Sequence, residues 1–153
     1  MSNDDNLPIE IERKFLVSST TWRASATGSQ QVRQGYLDSG TGITIRVRIA
    51  NGDAYLTLKS GEQGAARLEF EYPIPIAHAR TLLDSFCRKP LIEKTRFTVN
   101  WNGRAWSVDV FEGAQEGLVL AEIELAKIDE EVELPPWVGR DVTADPTYRN
   151  SNL

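Results

Sequence analysis

The sequence of 153 residues contains one histidine (His78), one cysteine (Cys87) and one methionine. A single cysteine excludes an intramolecular disulfide and a cysteine-rich zinc site. Basic residues are outnumbered, with 17 lysines and arginines against 22 acidic residues. The resulting formal net charge of −5 argues against a general nucleic-acid binder. A local site can oppose the overall sign, however, so an acidic chain can still bind an anionic small molecule.

No stretch of the sequence approaches the ~20 apolar residues of a membrane-spanning helix. The start, MSNDDNLP, has neither the basic residues nor the apolar run of a signal peptide. We therefore expect a protein of the reducing cytoplasm with no membrane partner. Because 41% of the residues are hydrophobic, 25% are charged and no linker or repeat interrupts them, residues 1–153 are expected to form a single globular domain.

Short runs with strand character, separated by turn residues, dominate the chain. They are Pro8–Leu16, Gln30–Leu37, Ile43–Ile49, Ala54–Ser60, Arg67–Tyr72, Ile92–Trp101, Arg104–Phe111 and Gly117–Leu125. Asn51-Gly52 and Asn102-Gly103 each separate two of these runs and are strong signals for tight hairpins. About eight strands joined mostly by short loops favour an antiparallel sheet that closes, or nearly closes, into a barrel.

Helical signals are few. The segment SSTTW (18–22) offers hydroxyl groups that can cap a short helix. Further on, apolar residues recur every three or four positions and predict one amphipathic helix that ends before Pro90. They are Ile76, Ala79, Leu83, Phe86 and Cys87. The proline-containing tail from Leu134 onward is expected to form short helical turns, and the fold class is α+β and mainly β.

Charged residues occupy alternate positions of these strands, as in IEIERKF (9–15), where Glu10, Glu12 and Lys14 share one face. On the other strands the same face carries R-x-R, E-x-E, K-x-R and again E-x-E. Like charges side by side are unfavourable unless opposite charges or a ligand lie nearby. A solvated outer face usually explains such alternation on one strand, but same-sign pairs on five strands predict that the charged faces point into the barrel.

With these faces inward, the lumen would enclose seven carboxylates and six bases. The carboxylates are Glu10, Glu12, Glu69, Glu71, Asp109, Glu122 and Glu124, and the bases are Lys14, Arg46, Arg48, Lys59, Lys94 and Arg96. Lysine and arginine donate hydrogen bonds to phosphate oxygens, and clustered carboxylates are hard oxygen ligands for Mg²⁺ or Mn²⁺. The combination is typical of a site for a phosphate chain bound with divalent metal. No P-loop motif competes with this interpretation.

The motif EIERK (Glu10–Lys14) is similar to the E-x-E-x-K signature of the CYTH domain, the triphosphate tunnel metalloenzyme family. The segments RVR, LTLK, EFEY, IEKTR, VDVF and AEIEL follow in the family's order, and WVGRDVTADPTYRN resembles the tail of its compact bacterial members. The resemblance covers nearly the whole chain. It implies an eight-stranded antiparallel β-barrel that forms a tunnel, with a few helices outside, and cleavage of a triphosphate-bearing substrate.

The resemblance also implies roles for the inward residues. The six bases resemble the triphosphate cradle, and Glu10, Glu12, Asp109, Glu122 and Glu124 resemble the metal ligands, with Glu69 and Glu71 as further ligands or as partners of the bases. Tyr36 resembles a tyrosine near the attacked phosphorus, although an ordinary strand aromatic explains it equally well. Lys14 and Tyr36 are the candidate catalytic residues, and the expected cofactors are two ions of Mg²⁺ or Mn²⁺.

We therefore expect an inorganic triphosphatase that hydrolyses tripolyphosphate, its small-molecule partner, to pyrophosphate and phosphate. One metal ion would bind across the phosphates and a second would lower the pKa of the attacking water. The alternatives are a class IV adenylate cyclase and a nucleoside or thiamine triphosphatase, both of which need a pocket for an organic group, and a non-catalytic polyphosphate or nucleotide sensor. The sequence leaves the oligomeric state open, a homodimer included.

Overall fold

The computed structural model describes residues 7–40, 42–61 and 65–153, which contain nine β-strands and one α-helix. The elements are β1 (Ile9–Val17), β2 (Ala26–Leu37), β3 (Thr44–Ala50), β4 (Asp53–Lys59), β5 (Ala66–Pro73), α1 (Ile76–Ser85), β6 (Ile92–Trp101), β7 (Arg104–Glu112), β8 (Val119–Glu124) and β9 (Val138–Asp141). Short 3-10 helices lie at Thr21–Ser25, Gly113–Gln115, Pro146–Tyr148 and Asn150–Asn152. No helix in the described ranges is long and apolar enough to cross a membrane.

Eight strands close into an antiparallel barrel. Their order around it is β5-β4-β3-β2-β6-β7-β8-β1, and the pairing of Ile9 with Leu68 and of Ile11 with Ala66 joins β1 back to β5. The predicted hairpins are present, with Asn51 and Asn102 at φ values of 51° and 49°, as expected for turns that need a positive φ. The predicted eight-stranded antiparallel barrel is therefore confirmed.

Strand β9 was not predicted, because its four residues, VGRD, are too short to show an alternating pattern. It forms where β5 leaves the edge of β1. There β9 pairs with Phe15 and Val17, while the backbone N–H of Val142 donates to the carbonyl of Lys14 at 2.8 Å. The tail thus covers an edge that would otherwise be unpaired. The expected helical turns of the tail are confirmed as the last two 3-10 helices.

The main hydrophobic core lies outside the barrel, against the outward faces of β1, β6, β7 and β8. Phe15 packs against Trp106 and Trp106 against Trp137, with ring centroids 5.8 and 5.6 Å apart. Trp22, on the first 3-10 helix, belongs to this cluster and packs against Phe97 with the two rings tilted by 58°. The predicted hydroxyl cap of that helix is wrong, because Thr20 at its N-cap makes no side-chain capping bond.

Helix α1 covers the outer faces of β3 and β4, where Ala79 and Leu83 pack against Val47 and Ala54. It ends at Ser85, so the prediction that Phe86 belongs to its apolar stripe is wrong, and Phe86 is 63% exposed.

Inside the barrel an apolar cluster fills the end where β2 and β7 end and β6 and β8 begin. Ile92, Phe111 and Leu120 point inward there, because each lies two positions from an inward charged residue. Tyr36 and Val142, the latter from the tail, complete the cluster. The charged part of the lumen lies beyond it.

Candidate active site

The lumen forms a cavity of about 960 Å³. Its wall contains Tyr36 and twelve of the thirteen charged residues predicted to point inward. They are Glu10, Glu12, Lys14, Arg46, Arg48, Lys59, Glu69, Glu71, Lys94, Arg96, Glu122 and Glu124. The thirteenth, Asp109, lies directly behind Lys94 and Arg96. The strand register produces this convergence, since Lys14 is paired with Glu122, Lys59 with Glu69 and Arg96 with Asp109.

Carboxylates of β1 and β8 crowd one wall. Glu10 and Glu12 share a side-chain hydrogen bond, and Glu122 acts on both through its charge. Burial, together with the negative charges of Glu122 and Glu10, raises the pKa of Glu12 to about 8. A hydrogen bond between two carboxyl groups requires a proton on one of them. This pair therefore holds a proton at neutral pH, in a position where a divalent cation could replace it.

Glu122 behaves differently because bases surround it. Its carboxylate lies 3.6 Å from the Lys14 ammonium and 3.3 Å from the Arg96 guanidinium. Burial alone would raise its pKa, but the charges of Lys14 and Arg96 lower it to about 2. The Glu122 carboxylate is thus ionised. It belongs to the acidic wall, formed by Glu10, Glu12, Glu122 and Glu124 of β1 and β8, and it contacts the basic wall, formed by Lys14, Arg48, Lys94 and Arg96.

Asp109 is 1% exposed and is fully occupied by bases. One oxygen accepts from Nε of Arg96 at 2.7 Å, and the other accepts from Nη2 of Arg96 at 2.8 Å and from Nζ of Lys94 at 2.7 Å. Lys94 is equally buried, and burial lowers its pKa to about 7 despite Asp109. As both oxygens of Asp109 are engaged, a metal ion there would have to displace an arginine or a lysine.

The remaining bases differ in how far carboxylates neutralise them. Lys59 pairs with Glu10 at 3.3 Å, and Arg46 lies 3.7 Å from Glu69 and 3.4 Å from Glu71. Arg48 contrasts with both. No carboxylate in the described part of the chain lies within 4 Å of its guanidinium. Burial, followed by the like charges of Arg46 and Arg96, lowers the pKa of Arg48 to about 10.

Lys14 links the barrel to the tail. Its ammonium donates to the backbone carbonyl of Tyr148 at 3.2 Å and faces Glu122. Burial would lower its pKa, but the charges of Glu122 and Glu12 outweigh that effect and raise it. Lys14 is therefore protonated at neutral pH and can donate hydrogen bonds to an anion.

Two predicted residues lie at the rim rather than inside. Glu71 and Glu124 are exposed, whereas Glu10, Glu12 and Glu69 are partly buried. The acidic density of the lumen is therefore concentrated on β1 and β8, and the rim carboxylates are solvated.

Several residues in the cavity wall or directly behind it were not predicted. Gln34, completely buried on β2, and Asn150, in the tail, hydrogen-bond to members of the charged set. Arg67, Arg149 and Ser151 also line the cavity. Gln34 lies two positions before Tyr36, so the alternation rule could have identified it. Nothing in the composition of the tail indicates that Asn150 enters the barrel.

The side chains fit a divalent cation by donor chemistry. Carboxylate oxygens are the ligands that Mg²⁺ and Mn²⁺ prefer, and the proton held between Glu10 and Glu12 marks a place where negative charge is under-compensated. Within residues 7–40, 42–61 and 65–153, no three acidic, histidine or cysteine side chains are already gathered around one point as a metal site. Binding an ion would thus require these carboxylates to reorient.

Comparison with known proteins gives consistent matches over almost the full length. The CYTH domain matches residues 8–151. A protein of Acetivibrio thermocellus named inorganic triphosphatase is 46% identical over 144 residues, which cover 94% of this chain and 92% of the relative. A protein of Nitrosomonas europaea with the same name is 36% identical over 148 residues, covering 94% and 95%. A crystal structure described as the inorganic triphosphatase NE1496 superposes with a TM-score of 0.66 at 33% identity, covering 94% of this chain and 92% of that one.

Proposed function

We propose a hydrolytic function for this chain, which belongs to the CYTH domain family. It hydrolyses inorganic triphosphate to pyrophosphate and phosphate inside the barrel. The observation that carries the proposal is the enclosed basic wall, in which Arg48 faces the lumen without a carboxylate partner among the described residues. Two relatives at 46% and 36% identity that are named inorganic triphosphatases support the same substrate.

The bases account for binding and for charge neutralisation. In the reaction a water oxygen bonds to the terminal phosphorus, the bridging P–O bond breaks, and negative charge spreads over the phosphoryl and leaving oxygens. Arg48, Lys14 and Arg96 are fixed donors within one enclosed cavity, and such preorganised donors stabilise developing charge strongly. Because Lys14 is protonated at neutral pH, it contributes a positive charge and a hydrogen-bond donor rather than a general base.

The acidic wall would hold the metal ions. Two Mg²⁺ or Mn²⁺ ions bound by Glu10, Glu12, Glu122 and Glu124 would neutralise phosphate oxygens and lower the pKa of the attacking water. Asp109 is better placed to orient Lys94 and Arg96, since its oxygens already accept three hydrogen bonds from them. Glu69 and Glu71 act as partners of Arg46. We further propose a reducing, cytoplasmic location, which the free Cys87 supports.

A substrate panel tests the proposal. The full chain is incubated separately with tripolyphosphate, ATP and thiamine triphosphate in Mg²⁺ or Mn²⁺, and phosphate, pyrophosphate and cyclic AMP are measured. We expect one phosphate and one pyrophosphate per tripolyphosphate, at a higher rate than hydrolysis of ATP. Arg80→Ala, on the exposed outer side of α1, is the matched control for substitutions of the luminal arginines and should retain full activity.

Each alternative predicts a different result. Cyclic AMP as the main product from ATP would show that the protein is a cyclase and not a hydrolase. Faster turnover of ATP or thiamine triphosphate than of tripolyphosphate would show that the proposed substrate is wrong. Tight binding of tripolyphosphate without product formation in either metal would support the non-catalytic sensor instead.

A further inference from the structure

We infer that Gln34 and Asn150 form a positioning pair for the phosphate site, and that they orient Arg48, Tyr36 and Lys94 toward the lumen. The inference rests on the proposed function for its kinetic readout. Gln34 hydrogen-bonds to two residues that line the lumen, Tyr36 and Arg48, and Asn150 hydrogen-bonds to Lys94 and to Gln34 itself. Among the described residues, neither amide hydrogen-bonds to a predicted metal ligand.

The orientation of Gln34 follows from its partners. Its Oε1 accepts from Nε of Arg48 at 2.8 Å, and its Nε2 donates to the hydroxyl oxygen of Tyr36 at 2.7 Å. A guanidinium has donors only, so the carbonyl side of the amide must face Arg48. The amide nitrogen is thereby directed at Tyr36.

This orientation determines what both partners can offer a ligand. The oxygen of Tyr36 accepts from Gln34, so the hydroxyl proton of Tyr36 is available to donate into the cavity that it lines. Arg48 uses Nε for Gln34, and its two terminal nitrogens donate to no acceptor in the described part of the protein. They remain available for the paired hydrogen bonds that a guanidinium makes with phosphate.

Asn150 performs the same function from the tail. Its Oδ1 accepts from Nζ of Lys94 at 2.9 Å and from Nε2 of Gln34 at 3.3 Å. The amide nitrogen of Gln34 can only donate, which fixes the oxygen of the Asn150 amide toward Gln34 and Lys94. Lys94 is then held between Asn150 and Asp109 in the wall of the cavity.

The tail around Asn150 is anchored, so the amide is delivered to a defined place. The Tyr148 carbonyl accepts from Lys14 at 3.2 Å and the Ser151 carbonyl accepts from Arg88 at 3.1 Å. Asn150 itself begins the last 3-10 helix. The terminal residues thus complete the basic wall in addition to covering the barrel end.

The first test compares two leucine substitutions in the same 3-10 helix. Asn150→Leu removes the acceptor for Lys94 and Gln34, whereas Asn152→Leu removes an exposed side chain that donates to the Pro146 carbonyl outside the lumen. We expect kcat/KM for tripolyphosphate to fall roughly 10- to 100-fold in the first variant, the usual effect of losing an orienting contact, and to be retained in the second. Equal kinetics in the two variants would overturn the inference.

The second test does not depend on the folding of the tail variant. In Gln34→Glu the carboxylate still accepts from Arg48 but also attracts the Tyr36 proton, which then turns away from the ligand. Tyr36→Phe should therefore lower kcat in the wild-type background and cause little further loss in the Gln34→Glu background. An equal loss in both backgrounds, or no loss in the first, would contradict the assigned orientation.

Calorimetric titration with tripolyphosphate separates this inference from the proposed function. If the wild-type chain binds tripolyphosphate without turning it over, the function fails, and the variants of both tests are compared by their Kd for tripolyphosphate instead. If the wild-type chain does not bind tripolyphosphate, both the function and the inference fall.

Discussion

Glu12 shows most directly what the burial of charge in the lumen does to a single residue. Two neighbouring carboxylates and limited solvent raise its pKa to about 8, whereas bases lower the pKa of Glu122 to about 2 on the adjacent strand. The two residues are diagonal neighbours across the β1–β8 pair, since Glu122 lies opposite Lys14, two positions from Glu12, yet their protonation states at neutral pH are opposite. The protonation state therefore changes along the acidic wall, from the protonated Glu10–Glu12 pair to the ionised Glu122, which is paired with Lys14 and Arg96.

This difference predicts how stability depends on pH. The folded pKa of Glu12, about 8, lies above its ordinary 4.5, so folding favours the protonated form. The associated stabilisation is complete below pH 4.5 and is lost as the pH rises through 8. The variant Glu12→Gln has no carboxyl group to ionise at this position, so it does not lose this stabilisation as the pH rises. We expect the melting temperature of Glu12→Gln in chelator to exceed that of the wild type by an amount that grows between about pH 5 and pH 8, reaching on the order of 10 °C.

Differential scanning calorimetry across this pH range checks the expectation. Glu116→Gln, at an exposed site outside the barrel, is the control and should follow the wild type at every pH. A constant difference between Glu12→Gln and the wild type would show that Glu12 does not titrate in this range.

Arg48 is the basic counterpart of Glu12, since it is partly buried among like charges. Arg48→Met keeps most of the side-chain volume but removes the guanidinium. We expect kcat/KM for tripolyphosphate to fall about 100-fold, as when one partner of a buried charge pair, here formed with a phosphate group, is removed. The melting temperature without ligand should change little, because relief of the repulsion from Arg46 and Arg96 opposes the loss of the hydrogen bond to Gln34. Steady-state kinetics and melting are measured beside Arg80→Ala. Wild-type kinetics in Arg48→Met would show that Arg48 does not bind the triphosphate.

At the scale of elements, the strands of the barrel could be predicted because their inward and outward faces differ in charge. Same-sign pairs such as Arg46 and Arg48 placed one face of β3 in the lumen, and the Asn-Gly turns fixed two hairpins. Strand β9 and Asn150 could not be predicted in this way. Their positions depend on where β5 leaves the edge of β1, which is a property of the closed barrel and not of any local pattern.

Two glycines of strand β2, Gly28 and Gly35, test how tightly this strand packs against its neighbours. Gly35 lies against the end of α1 and the loop that follows, where an added Cβ would come within 2.7 Å of Leu91 and 2.8 Å of Cys87. Gly28, on the same strand, has no atom within 4 Å of that position. Gly35→Ala should lower the melting temperature by on the order of 5 °C through overpacking, and Gly28→Ala should leave it unchanged or raise it slightly.

Thermal melting of the two variants under identical conditions provides the measurement. Equal melting temperatures would mean that α1 moves away from β2 without cost. A lower melting temperature in Gly28→Ala alone would show that the tight contact lies near Gly28 and not near Gly35.

For the molecule as a whole, the arrangement of charge explains why a net acidic protein can bind a polyanion. The main apolar core lies outside the barrel and under α1, and the apolar cluster inside the barrel is confined to one end. The rest of the lumen is therefore free for charges that would be unfavourable in a packed core. Their mutual compensation is incomplete at two places, the Glu10–Glu12 pair and Arg48. A cation and an anion would each relieve one of them.

The two sites predict a crossed pattern of ligand stabilisation. A ligand that binds only the folded chain at about 100 times its Kd adds roughly 2.7 kcal/mol of stability, or on the order of 5–10 °C for a chain of this size. Mn²⁺ alone should raise the melting temperature of the wild type and of Arg48→Met, but much less that of Glu12→Gln. Tripolyphosphate in chelator should raise that of the wild type and of Glu12→Gln, but much less that of Arg48→Met. Melting of the three proteins with each ligand at low ionic strength, where screening is weakest, measures all six shifts. If both substitutions weaken both ligands equally, the acidic and basic walls act as one undivided site and the separate roles assigned to them are wrong.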